Sequence, residues 1–293
     1  MTAQPGILLS AGGRVRRRKR VNRAVEGIWL LASVLAVAVL VVVTGSVLVR
    51  GIPALNLDLF TKTPVTFGET GGGIAHAFIG SLVLVGLAAA MALPAGVLSA
   101  IYVNEFADRR VARGIKLVLD VLNGLPSIVI GIFLFALLVV GRGQNGFIGA
   151  MALAIIMLPL ISRSTQEVLA LVPGHLREAS LALGVSKWRT IVGVILPTTL
   201  SGILTGATLA IARAAGETAP LLFTSSLFGD WVSGNPGHAV ASVPVIIFEY
   251  SEAPDPHLND QAWAAAFVLI TFVLLTSLAS RALLARSRRK LER

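Results

Sequence analysis

The chain has 293 residues, of which 55% are apolar and only 14% charged, with a formal charge of +10 and a mean hydropathy of +0.82. Soluble domains carry about 25% charged residues, so an ordinary water-soluble globule is excluded, and the long apolar runs mark an integral membrane protein. The absence of cysteine rules out a disulfide framework and a thiolate metal site. Basic residues gathered in short segments beside apolar runs speak for membrane topology rather than nucleic-acid binding.

Residues 1–27 hold Arg14, Arg16, Arg17, Arg18, Lys19, Arg20 and Arg23, opposed only by Glu26. No apolar core can form there, so a disordered or surface-lying cytoplasmic arm is expected. Ile28–Val49 carries no charge and is too long for the apolar region of a signal peptide, which makes it a first membrane helix. Residues 50–73 are polar and rich in turn residues, with Gly51-Ile52-Pro53, Thr63-Pro64 and Gly71-Gly72-Gly73. Ile74–Val103 is a second span, with a bend expected at Pro94. A basic turn follows at Arg109, Arg110, Arg113 and Lys116. Leu117–Val140 then reads as a third span, interrupted at Asp120 and at Gly124-Leu125-Pro126-Ser127.

After the turn Arg142-Gly143-Gln144-Asn145-Gly146, a fourth span runs from Phe147 to about Ile161, and a polar stretch occupies 163–193. The fifth span extends from Val194 toward Ala219. Residues 229–261 form a polar loop with Asp230, Glu249, Glu252, Asp255 and Asp260. Within it, the apolar piece Ala239–Phe248 is too short to cross and is expected to be interfacial or re-entrant. Ala262–Leu284 is the sixth span, and 285–293 is a basic tail.

Six spans with the N-terminus inside place 21 of the 25 Lys and Arg on the cytoplasmic side, counting Arg281 at the inner end of the sixth span, and leave only Arg50, Lys62, Arg142 and Arg213 elsewhere. Five or seven spans would put one basic terminus outside, so the bias favours both termini being cytoplasmic. The expected fold is an all-α membrane protein. A six-helix domain over 28–284 follows the arm and precedes the tail.

The stretch 163–193 is a polar island in this apolar chain. Val172-Pro173-Gly174 breaks the chain ahead of a short helix in which Leu176, Ala179, Ser180 and Leu183 fall at i, i+3, i+4 and i+7 and share a face. Gly184 suits the left-handed residue that ends a helix, and Ser186 suits the cap of the next. Lys187, Trp188 and Arg189 suit the membrane surface. Periodicity leaves two uses open, a helix that docks in a partner's groove or a connecting loop that packs on its own bundle.

Spacing narrows the choice. Glu178-Ala179-Ser180-x3-Gly184-x9-Val194-x-Leu196-Pro197 resembles the EAA motif, E-A-A-x3-G-x9-I-x-L-P, of the permeases of binding-protein-dependent ABC importers. It departs from that motif only at Ser180 and Val194. The resemblance implies a type I, MetI-like permease architecture. It also implies that Glu178, Ala179, Ser180, Leu183 and Gly184 belong to a coupling helix that engages a separate ATPase. Gly124-Leu125-Pro126-Ser127-Ile128-Val129-Ile130-Gly131, Leu171-Val172-Pro173 and the run from Arg213-Ala214-Ala215-Gly216-Glu217-Thr218-Ala219-Pro220 to Thr224 are similar to the phosphate-specific permeases of the PstA type.

Ionisable residues inside spans are costly and are functional candidates. Arg213 and Glu217 fall at i, i+4 on the fifth span, and Arg163 and Glu167 repeat the spacing at the end of the fourth. Arg offers a planar fork of donors suited to an oxyanion. If the substrate is phosphate, as the resemblance implies, Arg213, Glu217, Arg163, Thr218 and Ser127 are its candidate pathway residues. An ion pair that only fixes packing is the competing use. Counting along the helices places Arg163 and Arg213 at different depths. Asp120 is expected near the inner surface, paired with a Lys or Arg.

His76, His175, His238 and His257 lack metal-ligand spacing. No G-x4-G-K-[ST] run is present, so no cofactor is expected on this chain and ATP belongs to a partner. The resemblance implies a second, PstC-like permease chain, PstB-like ATPase subunits and an extracytoplasmic phosphate-binding protein, in the bacterial plasma membrane and in contact with its lipid, without nucleic acid. A permease for another oxyanion or an amino acid, and a membrane scaffold that docks a cytosolic partner, are the alternatives.

Overall fold

The computed structural model describes residues 13–65, 71–226 and 234–291, and all regular structure among them is helical. The chain divides into two units, residues 1–49 and 50–293. The described part of the first is helix α1, Gly13–Gly51, which continues just into the second. Residues 13–27 are therefore helical, which removes the disordered one of the two forms expected for the arm. Arg and Lys are good helix formers, and extending an existing helix is far easier than nucleating one. Residues 1–12, Asp230 in the loop and Arg293 in the tail lie outside the described residues.

The second unit runs through α2 (Asp58–Thr61), α3 (Ala75–Ile101), α4 (Arg109–Gly124), α5 (Ser127–Leu134), α6 (Gly146–Ala170), α7 (Gly174–Ala182), α8 (Lys187–Thr190), α9 (Leu196–Ala215), α10 (Ala219–Thr224), α11 (Val243–Glu252) and α12 (Pro256–Leu291). Widened π turns follow α3 at Tyr102–Phe106, α5 at Phe135–Val139 and α8 at Ile191–Ile195. Five helices among the described residues are long and apolar enough to cross a membrane. The count becomes six when α4 and α5 are taken as one broken span, bent by 97°.

That bend falls at the second of the two interruptions expected in the third span. Leu125 precedes a proline, whose ring drives the preceding residue out of the helical region, and Pro126 has no N–H to continue the ladder. The helix stops there and restarts at Ser127. The basic residues from Arg109 are not a turn but the opening of α4. Asp108 caps it, its carboxylate accepting from the Arg110 and Val111 N–H groups at 2.9 Å. α3 passes Pro94 without a break.

The last two elements also differ from expectation. α9 stops at Ala215, short of Ala219, and α12 begins at Pro256 rather than Ala262. Of the interfacial and re-entrant placements open for the short apolar piece, its packing into the bundle fits the second. Val240–Ile246 is buried, and the Val243 N–H donates to Ser81 Oγ at 2.8 Å.

The core is built around α6. Leu153, Met157 and Ile161 meet Leu84, Ala88 and Ala92 of α3, Ala210 and Ala214 of α9, and Leu221 and Val245. Small residues bring the backbones close: Gly96 faces Ile161, Gly202 faces Val168 and Gly206 faces Ser164. At the other end of α3, Gly80 lies against the carbonyl of Ala241. A methyl group at Gly80 has no room, whereas one at Gly86 meets nothing within 4 Å. Gly80→Ala should lower the stability of the purified chain by about 1–3 kcal/mol, the usual cost of overpacking. Gly86→Ala should hold or raise it, as thermal unfolding in detergent will show.

Candidate functional site

α7 is delimited by Pro173 and by Gly184, which takes a positive φ of 76° and closes the helix with its N–H on the Leu181 carbonyl at 2.9 Å. Leu176 packs on Ile101, Leu169, Val172, Ile191 and Ile195. Ser180 Oγ bonds Thr190 Oγ1 at 2.8 Å. These two residues therefore turn toward their own chain, and the single four-residue face expected from spacing is split. The helix ends at Ala182, so Leu183 belongs to the closing turn and swings outward, 84% exposed. Glu178, Ala179, Leu181 and Gly184 are exposed beside it. Ser186 stands at the cap position of α8, yet its hydroxyl makes no cap bond.

A part-buried ion pair that sequence reasoning missed fixes this segment. Arg177 donates from Nε and Nη2 to Glu105 Oε1 at 3.1 and 2.9 Å. It also donates to the carbonyls of Val172 at 2.7 Å and Leu169 at 3.0 Å. Glu105 lies in the π turn after α3, with its side chain only 7% exposed. Lys187 donates to the Glu105 carbonyl and sits over the Phe106 ring. The two partners are 72 positions apart. The one trace in sequence is a lone acid at the end of an apolar run.

The charged candidates form two groups. In the first, Arg163 donates from Nη1 to Asp120 Oδ1 at 2.8 Å, with Glu167 Oε1 at 3.8 Å from its Nε. Asp120 thus has the arginine partner expected for it. The group lines a cleft of about 300 Å³ with Asn104, Lys116, Asn123 and Gln166.

In the second group, Arg213 Nε lies 3.6 Å from Glu217 Oε1, the carboxylate mostly shielded and the guanidinium half exposed. Glu217 is not on the fifth span as expected. It sits past the end of α9, in the break before α10. Gly131 packs on the backbone of Pro220, two residues beyond Thr218 and one helical turn beyond Ser127. Thr218 and the Arg213–Glu217 pair stand at the break before α10, and Ser127 opens α5, which packs on α10. The register of Gly202 on Val168 and Gly206 on Ser164 sets Arg213 level with Met157. That is six residues from Arg163, about 9 Å along the helix axis. Each arginine keeps its own acidic partner, Asp120 for Arg163 and Glu217 for Arg213.

Residues 92–292 match the family described as binding-protein-dependent transport system inner membrane component. The chain is 39% identical over 278 residues to the phosphate transport system permease protein PstA of Xylella fastidiosa strain Temecula1, covering 93% of this chain and 96% of that one. It is 38% identical over 266 residues to the protein of the same name from Haemophilus influenzae, covering 90% and 94%. Among solved structures it is similar to an inward-facing MetNI methionine ABC transporter, with a TM-score of 0.56 and 19% identity over 73% of this chain and 94% of that one. It is also similar to a bacterial ABC transporter that imports the acidic polysaccharide alginate, with a TM-score of 0.56 and 16% identity over 91% and 99%. At such identities the structures share a fold and nothing more.

Outside both charged groups, Glu249 of α11 is half-buried and has no ion pair among the described residues. Burial raises its carboxyl above the ordinary 4.5. Its ionisation therefore costs stability at neutral pH, and that cost vanishes once the group is protonated in folded and unfolded chains alike. Glu249→Gln should raise Tm at pH 7 and give no advantage below about pH 4.5, the ordinary carboxyl value, as unfolding across that range will test.

Proposed function

We propose a function for this chain from its family: it belongs to the binding-protein-dependent transport system inner membrane components, and we read it as the permease subunit of an ATP-driven phosphate importer. The observation that carries this reading is the likeness to phosphate permeases over nine-tenths of the chain at 38–39% identity. The chain is a multi-pass protein of the inner membrane. On the charge bias, both termini lie in the cytoplasm. A second permease chain completes the pathway, an external binding protein delivers phosphate, and separate ATPase subunits hydrolyse ATP. No cofactor sits on this chain.

In this reading the exposed face of Glu178, Ala179, Leu183 and Gly184 docks the ATPase. Ser180 supports the face from behind through Thr190. Arg213 is the principal oxyanion contact. Its Nε is engaged by Glu217, which orients the guanidinium. Its two terminal nitrogens have no partner among the described residues and are available to a phosphate. Thr218 and Ser127 add hydroxyls, and Arg163, held by Asp120, forms a second station nearer the coupling end. Binding and hydrolysis of ATP by the partner switch the bundle between outward and inward access.

A scaffold that only docks a cytosolic partner has no use for an arginine–glutamate pair set at a helix break, so transport is the better reading. Cells lacking this chain should lose high-affinity uptake of labelled phosphate, and normal uptake would overturn the reading. Arg213→Gln should abolish uptake while the complex still assembles. Wild-type uptake by that variant would remove Arg213 from the pathway.

A further inference from the structure

The covalent path from α7 leads through α8 into α9, but the part-buried ion pair ties α7 to a different element. We infer that Arg177 and Glu105 form a clamp that transmits movement of the coupling helix into α3. This inference rests on the reading of α7 as that helix.

The geometry is specific. Arg177 uses three donors, with both Nε and Nη2 on one carboxylate oxygen and two further bonds to carbonyls at the end of α6. One side chain thereby fastens α7 to α3 and α6 together. Lys187, on the far side of Gly184, holds the same π turn through the Glu105 carbonyl and the Phe106 ring. The closing turn of α7 is thus bracketed by two cations that grip a single segment, Glu105-Phe106. A displacement of Leu183 that leaves this segment in place must break bonds to a shielded carboxylate. Moving the segment with it breaks none.

α3 has something to move at its other end. From Ile101 back to Gly80 and Ser81 is about 30 Å of helix at the usual rise per residue. There Gly80 and Ser81 touch the irregular strip Ala241-Ser242-Val243, whose Val243 N–H is bonded to Ser81 Oγ. This strip follows directly on Val240, whose N–H and carbonyl are held by Ser225 at the end of the α10 segment. A shift of α3 along its length therefore reaches the region that joins α10 to α11, at the end of the bundle opposite α7. Glu105 and Arg177 touch neither ATPase nor substrate in this scheme. They are positioning residues for coupling.

The test uses the whole transporter, reconstituted in vesicles with its second permease chain, ATPase and loaded binding protein. Phosphate imported and ATP hydrolysed are measured together. Glu105→Gln keeps the shape of the side chain and removes its charge, and Arg177→Gln removes the fork. Each should leave the ATPase in the purified complex but lower phosphate imported per ATP at least about fivefold, the lower end of ordinary coupling between sites. The double variant should be no worse than the poorer single one, because both changes cut the same link.

An unchanged ratio in both single variants would overturn the clamp. So would loss of the assembled complex in both, which would make the pair a plain folding element. Leu183→Glu separates the two levels of the proposal by adding charge to the docking face. If that variant still binds and drives the ATPase, the docking reading fails and the clamp fails with it. If it releases the ATPase while the clamp variants stay fully coupled, the clamp alone fails.

Discussion

Apolar side chains gain little by leaving lipid for protein, so helices in a bilayer associate through close packing and polar contacts between their backbones and side chains. Around α6 the close packing is supplied by residues with almost no side chain. Gly96, Gly202 and Gly206 let α3 and α9 approach it on two sides, and Ala88, Ala92, Ala210 and Ala214 extend the same surfaces. Gly149 does the same toward Ser225. This approach fixes the register of α9 on α6, and with it the levels of Arg163 and Arg213. It also holds the lower end of α3 near α7, within reach of Arg177.

Charge and irregular backbone are the two expensive features in such a setting, and this chain places them together. Non-helical backbone at membrane depth persists only where protein buries it or where it lines a cavity. The breaks at Leu125-Pro126 and at Gly216–Thr218 lie on either side of the α5–α10 contact, where Gly131 meets Pro220. The Arg213–Glu217 pair spans the second break. Unpaired ionised groups in spans are rare for the same energetic reason. Arg163, Arg177 and Arg213 each have an acidic partner. Only the third leaves both terminal nitrogens without a partner among the described residues, which makes it the principal candidate for an oxyanion contact and Arg163 a secondary one.

Much of this was legible in sequence. Charge-free runs located the spans, and the E-A-S-x3-G spacing located α7 and its left-handed glycine. What sequence withheld has a common cause, since each case depends on neighbours distant in the chain. Gly124-Leu125-Pro126 announces an interruption, but nothing in that local stretch gives the 97° angle between α4 and α5. The i, i+3, i+4, i+7 pattern at Leu176–Leu183 gave a face without saying which members point inward. Ile191 and Ile195 claim Leu176, and Thr190 claims Ser180. Helical spacing paired Arg213 with Glu217 correctly even though α9 ends between them. Arg177 and Glu105 offered no local pattern at all. Asp108 was a readable cap signal that the basic run behind it obscured.

The lack of cysteine permits a direct test of the central claim, that the outward face of α7 is where an ATPase drives a phosphate permease. Leu183→Cys introduces a unique thiol at a side chain of that face that is 84% exposed. Membranes carrying the assembled transporter are treated with a short thiol-to-amine cross-linker, and the adducts of this chain are identified by mass. The account predicts a covalent adduct with the ATPase subunit, formed at the introduced thiol and absent from the cysteine-free chain. A thiol that reacts freely with small maleimides yet yields no such adduct would contradict it.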